Sequence, residues 1–206
     1  MTKTPGIEPG PDNRIRETHT DRFTILTVCT ANICRSPLME LLFRQQLDTS
    51  FYEVGSAGVR GFNDYPMDPD AANQAVRFGA DPQYFRSRPI TEDMVKVSGL
   101  ILTATREHRS SVLALSPMAL RRTFTLLEFA QLATEYSGAP LSEIIADASR
   151  HRSHVQDNLD IGDPYMQGEP VHQQVAERIL AGVRQISEVL DDCAAGDDVI
   201  AHRVHT

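Results

Sequence analysis

The sequence predicts an α/β fold, an open four-stranded parallel sheet flanked by helices. Two observations lead there. Four runs of apolar and β-branched residues are too short for helices, and stretches with helical spacing separate them. Strands that alternate with helices pair in parallel, because each crossover returns the chain to the same end of the sheet.

The elements follow in order. Residues 1–21 are polar and rich in Pro and Gly, and read as a flexible N-terminal extension. Order is expected from Phe23-Thr24-Ile25-Leu26-Thr27-Val28, a run suited to a strand buried on both faces. A helix should follow from Ser36, with Ser36 as cap, Pro37 at the first helical position, and Leu38, Leu41 and Leu42 on one face. Tyr52 to Ala57, Leu100 to Leu102 and Phe124 to Leu126 are the other expected strands. Helical patterns lie at about Asp68 to Phe78, Glu92 to Val97 and Glu107 to Leu115. The stretch Leu141 to Gln156 reads as a further helix, inside an expected helical insertion covering about residues 131–160. Val171, Val175, Ile179, Val183, Ile186 and Leu190 keep the spacing of a long helix packed on the sheet. The folded domain therefore spans 22–191, and 192–206 reads as a flexible tail.

Composition narrows the function. A net charge of −8 over 206 residues argues against a nucleic-acid partner, which needs a basic face. No stretch is apolar for long enough to insert into a membrane, and the N-terminus lacks the apolar block of a signal peptide. Three cysteines are too few and too uneven for a disulfide scaffold, so a reducing, cytoplasmic location is expected.

The chemistry is concentrated where the first strand meets its helix. In open α/β sheets, ligands collect at the carboxyl ends of strands, facing helix N-termini. Cys29 closes the strand, Thr30, Ala31, Asn32, Ile33 and Cys34 follow, and Arg35-Ser36 leads into the helix. That spacing lets the loop curl into a cup whose inward backbone N–H groups suit a phosphate dianion. Arg35 can hold two phosphoryl oxygens in a fork. The same dipoles and Arg35 favour the thiolate of Cys29, and Ser36 can stabilise that sulfur by a hydrogen bond. A chance Cys-x5-Arg-Ser/Thr match is expected in roughly one such chain in thirty, so the position between strand and helix carries the weight.

At these residues the chain resembles a known family. Val28-Cys29-Thr30-Ala31-Asn32-Ile33-Cys34-Arg35-Ser36-Pro37 is similar to the signature of the low-molecular-weight protein tyrosine phosphatases, and the likeness runs from about Phe23 to the C-terminal helix. Ser56-Ala57-Gly58 resembles the loop after the family's second strand, and Asp163-Pro164-Tyr165 its general-acid loop. The resemblance implies Cys29 as nucleophile, Arg35 as phosphoryl ligand, Asp163 as general acid and then base, and Asn32, Ser36 and Ser56 as loop supports. It implies no metal or organic cofactor. For a bacterium it implies a phosphotyrosine protein as partner, such as a tyrosine kinase controlling polysaccharide export.

By residue pattern alone, Gly162-Asp163-Pro164 is equally an ordinary turn. The chemistry nonetheless needs an acid for the leaving oxygen, and a nearby dianion favours the protonated carboxyl. Phe62 and Tyr165 are candidate aromatic walls for a phenyl ring, or else simple loop packing.

Three departures from the family pattern stand out. Ala31 replaces the usual glycine and can crowd the loop. A histidine usual near Phe85 is missing. More than thirty residues separate Phe129 from Asp163, filled by the expected insertion, which can shape substrate choice or be a solvated surface decoration; decoration is the simpler expectation.

Cys34 lies close enough in sequence to trap an oxidised Cys29 as a disulfide, and the resemblance favours such redox control. Cys193 has no partner motif, and His151-Arg-Ser-His154 lacks the carboxylate or cysteine that would complete a metal site. Two other readings compete. Arsenate reductases resemble the same family, but a thiol relay would have to use a low-molecular-weight thiol, since no cysteine lies between Cys34 and Cys193. A non-catalytic phosphate-binding module is the third.

Overall fold

The computed structural model of the chain describes residues 22–133, 139–155 and 159–203. The extension expected over 1–21 lies outside them, as do 134–138 and 156–158 of the expected insertion. Four strands, β1 (Phe23–Cys29), β2 (Tyr52–Gly58), β3 (Leu100–Thr103) and β4 (Thr123–Thr125), form one parallel sheet in the order β2-β1-β3-β4. The register sets Cys29 opposite Gly58 and Val28 opposite Thr103, so three strand ends meet at one edge. The open four-stranded architecture is the predicted one.

Helices cover both faces. On one side Ile25 and Cys29 join a core with α1 (Arg35–Gln46), α2 (Pro69–Arg77), α5 (Leu126–Ala133), α6 (Leu141–Arg150) and α7 (Glu169–Arg203). On the other, Leu26 and Val28 pack with Val95 of α3 (Glu92–Val97) and Val112 of α4 (Arg106–Leu115). Alternate residues of β1 thus face alternate cores, and its sequence is apolar almost throughout for that reason.

Four details differ from expectation. Ser36 does not cap α1; the helix starts at Arg35, no side chain caps it, and the Ser36 hydroxyl turns to Cys29 instead. Leu126 is the first residue of α5 and not a strand residue, and α5 itself gave no separate signal because its apolar residues continue those of β4. The inserted helix α6 ends at Arg150, a 3₁₀ turn follows at Arg152–His154, and Gln156 lies outside the described residues. The helix is no solvated decoration. Ile144 is fully buried, Ile145 and Ala148 nearly so, and all three belong to the main core.

Helix α7 also runs on through residues 192–203, where a loose tail was expected. Cys193 is buried on it and lies 3.3 Å from the carbonyl of Ala139, so burial continues past Asp191.

Candidate active site

The loop from Thr30 to Cys34 is shaped by its outward-facing carbonyls. The O atoms of Cys29, Thr30, Ala31 and Ile33 accept from the amides of Val59 (2.9 Å), Arg60 (2.9 Å), Phe62 (3.4 Å) and Asp68 (2.9 Å). In a trans peptide the carbonyl and the following N–H point in opposite directions. The amides of Thr30, Ala31, Asn32 and Cys34 therefore turn to the concave side. Gly58 permits this stitching, since a Cβ there would lie 2.6 Å from the Thr30 oxygen. Asn32 takes the left-handed turn at φ 60°, a conformation asparagine tolerates. Ala31 does not have positive φ, so its methyl costs no backbone strain.

A polar chain runs behind Cys29. Cys29 Sγ is 3.0 Å from Ser36 Oγ. Asn32 Nδ2 donates to Ser36 Oγ at 2.9 Å and to Ser56 Oγ at 2.8 Å. Since Ser36 Oγ accepts from Asn32, its own proton can go to the sulfur or to the Ala57 carbonyl, 3.4 Å away. Ser56 donates to Glu40, which is buried and paired with Arg44 at 2.7 Å. The other end of Asn32 accepts from the Arg88 amide at 2.9 Å. Phe85 is buried in the core, and Asn32 is anchored by that backbone amide.

Arg35 is 4% exposed. Its Nη1 donates to the Ile161 carbonyl at 3.0 Å, and its Nη2 to Thr30 Oγ1 at 3.3 Å. Nη2 also lies 2.7 Å from Asp163 Oδ2. Its buried Nε finds no hydrogen-bond partner among the described residues. An orphaned buried donor is costly, and an oxyanion in the cup would satisfy it. Asp163 reaches the site because the segment just before it is pinned twice: the Ile161 amide donates to the Ala104 carbonyl beyond β3, and Arg178 of α7 donates to the Asp160 carbonyl.

These groups enclose a pocket of about 220 Å³ lined by Cys29, Thr30, Ala31, Ile33, Cys34, Arg35, Phe62, Asp163 and Tyr165. Phe62 and Tyr165 are each about half exposed at its mouth, and Phe62 also packs on Tyr65 with ring centroids 5.2 Å apart. Burial holds the Cys34 thiol well above its ordinary range, and Asp68, Cys29 and Asp163 push the same way.

The model of the family described as low molecular weight phosphotyrosine protein phosphatase matches residues 24–138. The chain belongs to this family. Etp of Escherichia coli, a low molecular weight protein-tyrosine-phosphatase, is 39% identical over 48% of this chain and 66% of its own length. EpsP of Ralstonia nicotianae, a probable member, is 29% identical over 78% of this chain and 90% of its own. The fold is shared with the YwlE arginine phosphatase of Geobacillus stearothermophilus, at TM-score 0.65, 24% identity, and 82% and 93% coverage of the two chains. It is shared too with the tyrosine phosphatase Wzb of Escherichia coli K30 in complex with phosphate, at TM-score 0.62, 23% identity, and 81% and 91% coverage.

The family match ends before Asp163, and the structure brings that residue to the cup. Every residue expected at the site lines the pocket or, for Asn32, Ser36 and Ser56, stands directly behind it. Sequence reasoning missed Glu40 and His108. Glu40 sits in a helical pattern that reads as an exposed charge. His108 is 5% exposed and reaches the loop through space, with Nε2 2.9 Å from Thr30 Oγ1.

Proposed function

We propose that this chain hydrolyses phosphotyrosine and related aryl phosphomonoesters through a cysteinyl-phosphate. The observation that carries the reading is one pocket holding Cys29 at its floor, Arg35 and Asp163 at its side and two aromatics at its mouth. The Cys29 thiolate attacks phosphorus, the ester P–O bond breaks, and Asp163 gives its proton to the leaving oxygen. Water then attacks phosphorus, Asp163 takes its proton, and the P–S bond breaks with Ser36 donating to the departing sulfur. Arg35 and the inward amides stabilise the phosphoryl charge throughout.

The walls favour an aryl group. Ala31, Ile33, Phe62 and Tyr165 are apolar or aromatic, and the pocket's carboxylate, Asp163, is already shared with Arg35. A phosphoarginine side chain would bring a guanidinium needing an acceptor of its own. The natural substrate is then a phosphotyrosine protein, with an autophosphorylated bacterial tyrosine kinase the partner that the family resemblance suggests. Arsenate reduction through a low-molecular-weight thiol is the second reading; a relay within the chain is not its route, since Cys193 is buried against Ala139.

Turnover of p-nitrophenyl phosphate, a phosphotyrosine peptide, phosphoarginine and arsenate with added mycothiol or glutathione separates these readings. The expected result is aryl phosphate turnover abolished in Cys29→Ser. Full activity in that variant would end the proposal, and a preference for phosphoarginine would reassign the substrate.

A further inference from the structure

We propose that His108 is a positioning residue of the phosphate site, acting through the Thr30 hydroxyl on the Arg35 guanidinium. The inference deepens the phosphatase reading, on which it rests for the meaning of the cup.

His108 lies on the first turn of α4, whose N-cap is Thr105. Thr105 Oγ1 accepts from the His108 backbone N–H at 3.3 Å and lies 2.8 Å from His108 Nδ1. That hydroxyl has both a proton and a second lone pair, and in the tautomer that the proposal takes, Thr105 gives its proton to Nδ1. The imidazole proton is then on Nε2, which donates to Thr30 Oγ1 at 2.9 Å. Thr30 Oγ1 receives Arg35 Nη2 as well, at 3.3 Å, so both of its lone pairs are engaged. The proton order runs Thr105 to His108 to Thr30, and Arg35 docks on the end of it.

This matters because Arg35 is otherwise held at Nη2 by the acid. Asp163 has to surrender that contact when a phosphoryl dianion arrives and the carboxyl takes up its proton. Thr30 and the Ile161 carbonyl are neutral acceptors that keep the guanidinium plane in place through the exchange without competing as anions. The Ile161 amide is bonded to Ala104, one residue before Thr105, so the turn after β3 fixes both acceptors. A residue at 108 that cannot donate lets Thr30 rotate away and leaves Arg35 leaning on Asp163.

The test is the dissociation constant for orthovanadate, read by calorimetry, with kcat and KM for p-nitrophenyl phosphate alongside. Thr30→Val and His108→Phe should each weaken vanadate binding roughly tenfold, the order expected for a hydrogen bond to a charged group. The double variant should lose no more than either single one, while His108→Gln and Thr30→Ser, which keep a donor and a hydroxyl, should recover most of the affinity. Should His108→Phe fail to fold, the Val/Ser pair at residue 30 still reads the effect. Unchanged vanadate affinity in the single variants, or fully additive losses, would overturn the proposal. Wild-type protein that binds vanadate with this pattern but turns over no aryl phosphate would sink the phosphatase reading alone.

Discussion

Asp163 is paired with Arg35, yet the proposed mechanism uses it as the acid. Under that mechanism the phosphoryl dianion displaces the carboxyl from Nη2 and frees it to act on the leaving oxygen. Asp163→Asn should then lower kcat by roughly a hundredfold, the usual worth of a general acid, while orthovanadate binds as tightly as before or tighter. A parallel fall in kcat and vanadate affinity would make Asp163 a support of Arg35 and not the acid. Cys34 poses a different question. Burial favours its neutral thiol, so under the proposed mechanism it does not compete with Cys29, yet it lines the same pocket and can capture a sulfenic acid there. Peroxide should inactivate the wild type reversibly and Cys34→Ala permanently; equal recovery of both with dithiothreitol would remove Cys34 from that role. The residues of the loop were legible because the motif is contiguous, from Cys29 to Ser36. Glu40 and His108 were not, because their partners Ser56 and Thr30 lie 16 and 78 residues away in the chain and only folding joins them.

Helix α6 shows what periodicity reports and what it leaves out. Its apolar residues, Ile144, Ile145 and Ala148, had the right spacing, but spacing does not say whether a face has anything to pack against. The partner is α5, whose Phe129, Ala130 and Ala133 are buried in the same core, and α5 was hidden by the apolar run it continues from β4. Arg152 completes the contact from the 3₁₀ turn after α6, placing its guanidinium 4.1 Å above the Phe124 ring and donating to the Leu120 carbonyl at 2.7 Å. The insertion is thus tied to the sheet through β4 and α5. Ile144→Ala should cost about 2–4 kcal/mol in urea unfolding, the range for a truncated core aliphatic side chain, and leave KM for p-nitrophenyl phosphate unchanged. No loss of stability would return α6 to the status of a surface addition, and a shifted KM would tie it to the acid loop.

At the scale of the whole molecule, the junction of the loop, α4 and the acid loop couples folding to pH through His108. Burial first, and the positive Arg35 second, push its imidazole down to about 4 from an ordinary 6.5; Asp163 and Asp160 pull the other way, and Arg60 adds to the fall. The unfolded chain therefore binds a proton at His108 below about pH 6.5 that the folded chain refuses until about pH 4. Stability is complete above the upper value and is lost as pH falls through the window between them, because the unfolded state binds more protons there. The loss attributable to this residue should be on the order of 2 kcal/mol by pH 4.5. Carboxylates titrate near the lower end, so the decisive measurement is a comparison. Urea unfolding of wild type and His108→Gln at pH 7 and pH 5 should give a smaller pH dependence in the variant, which keeps the donor to Thr30 and has no titrating ring. The same slope in both would mean that the imidazole accepts a proton in place, and that the contact with Thr30 survives with both ring nitrogens donating. The charge at residue 108 would then add to that of Arg35, and vanadate binding in the wild type should tighten between pH 7 and pH 5 relative to His108→Gln.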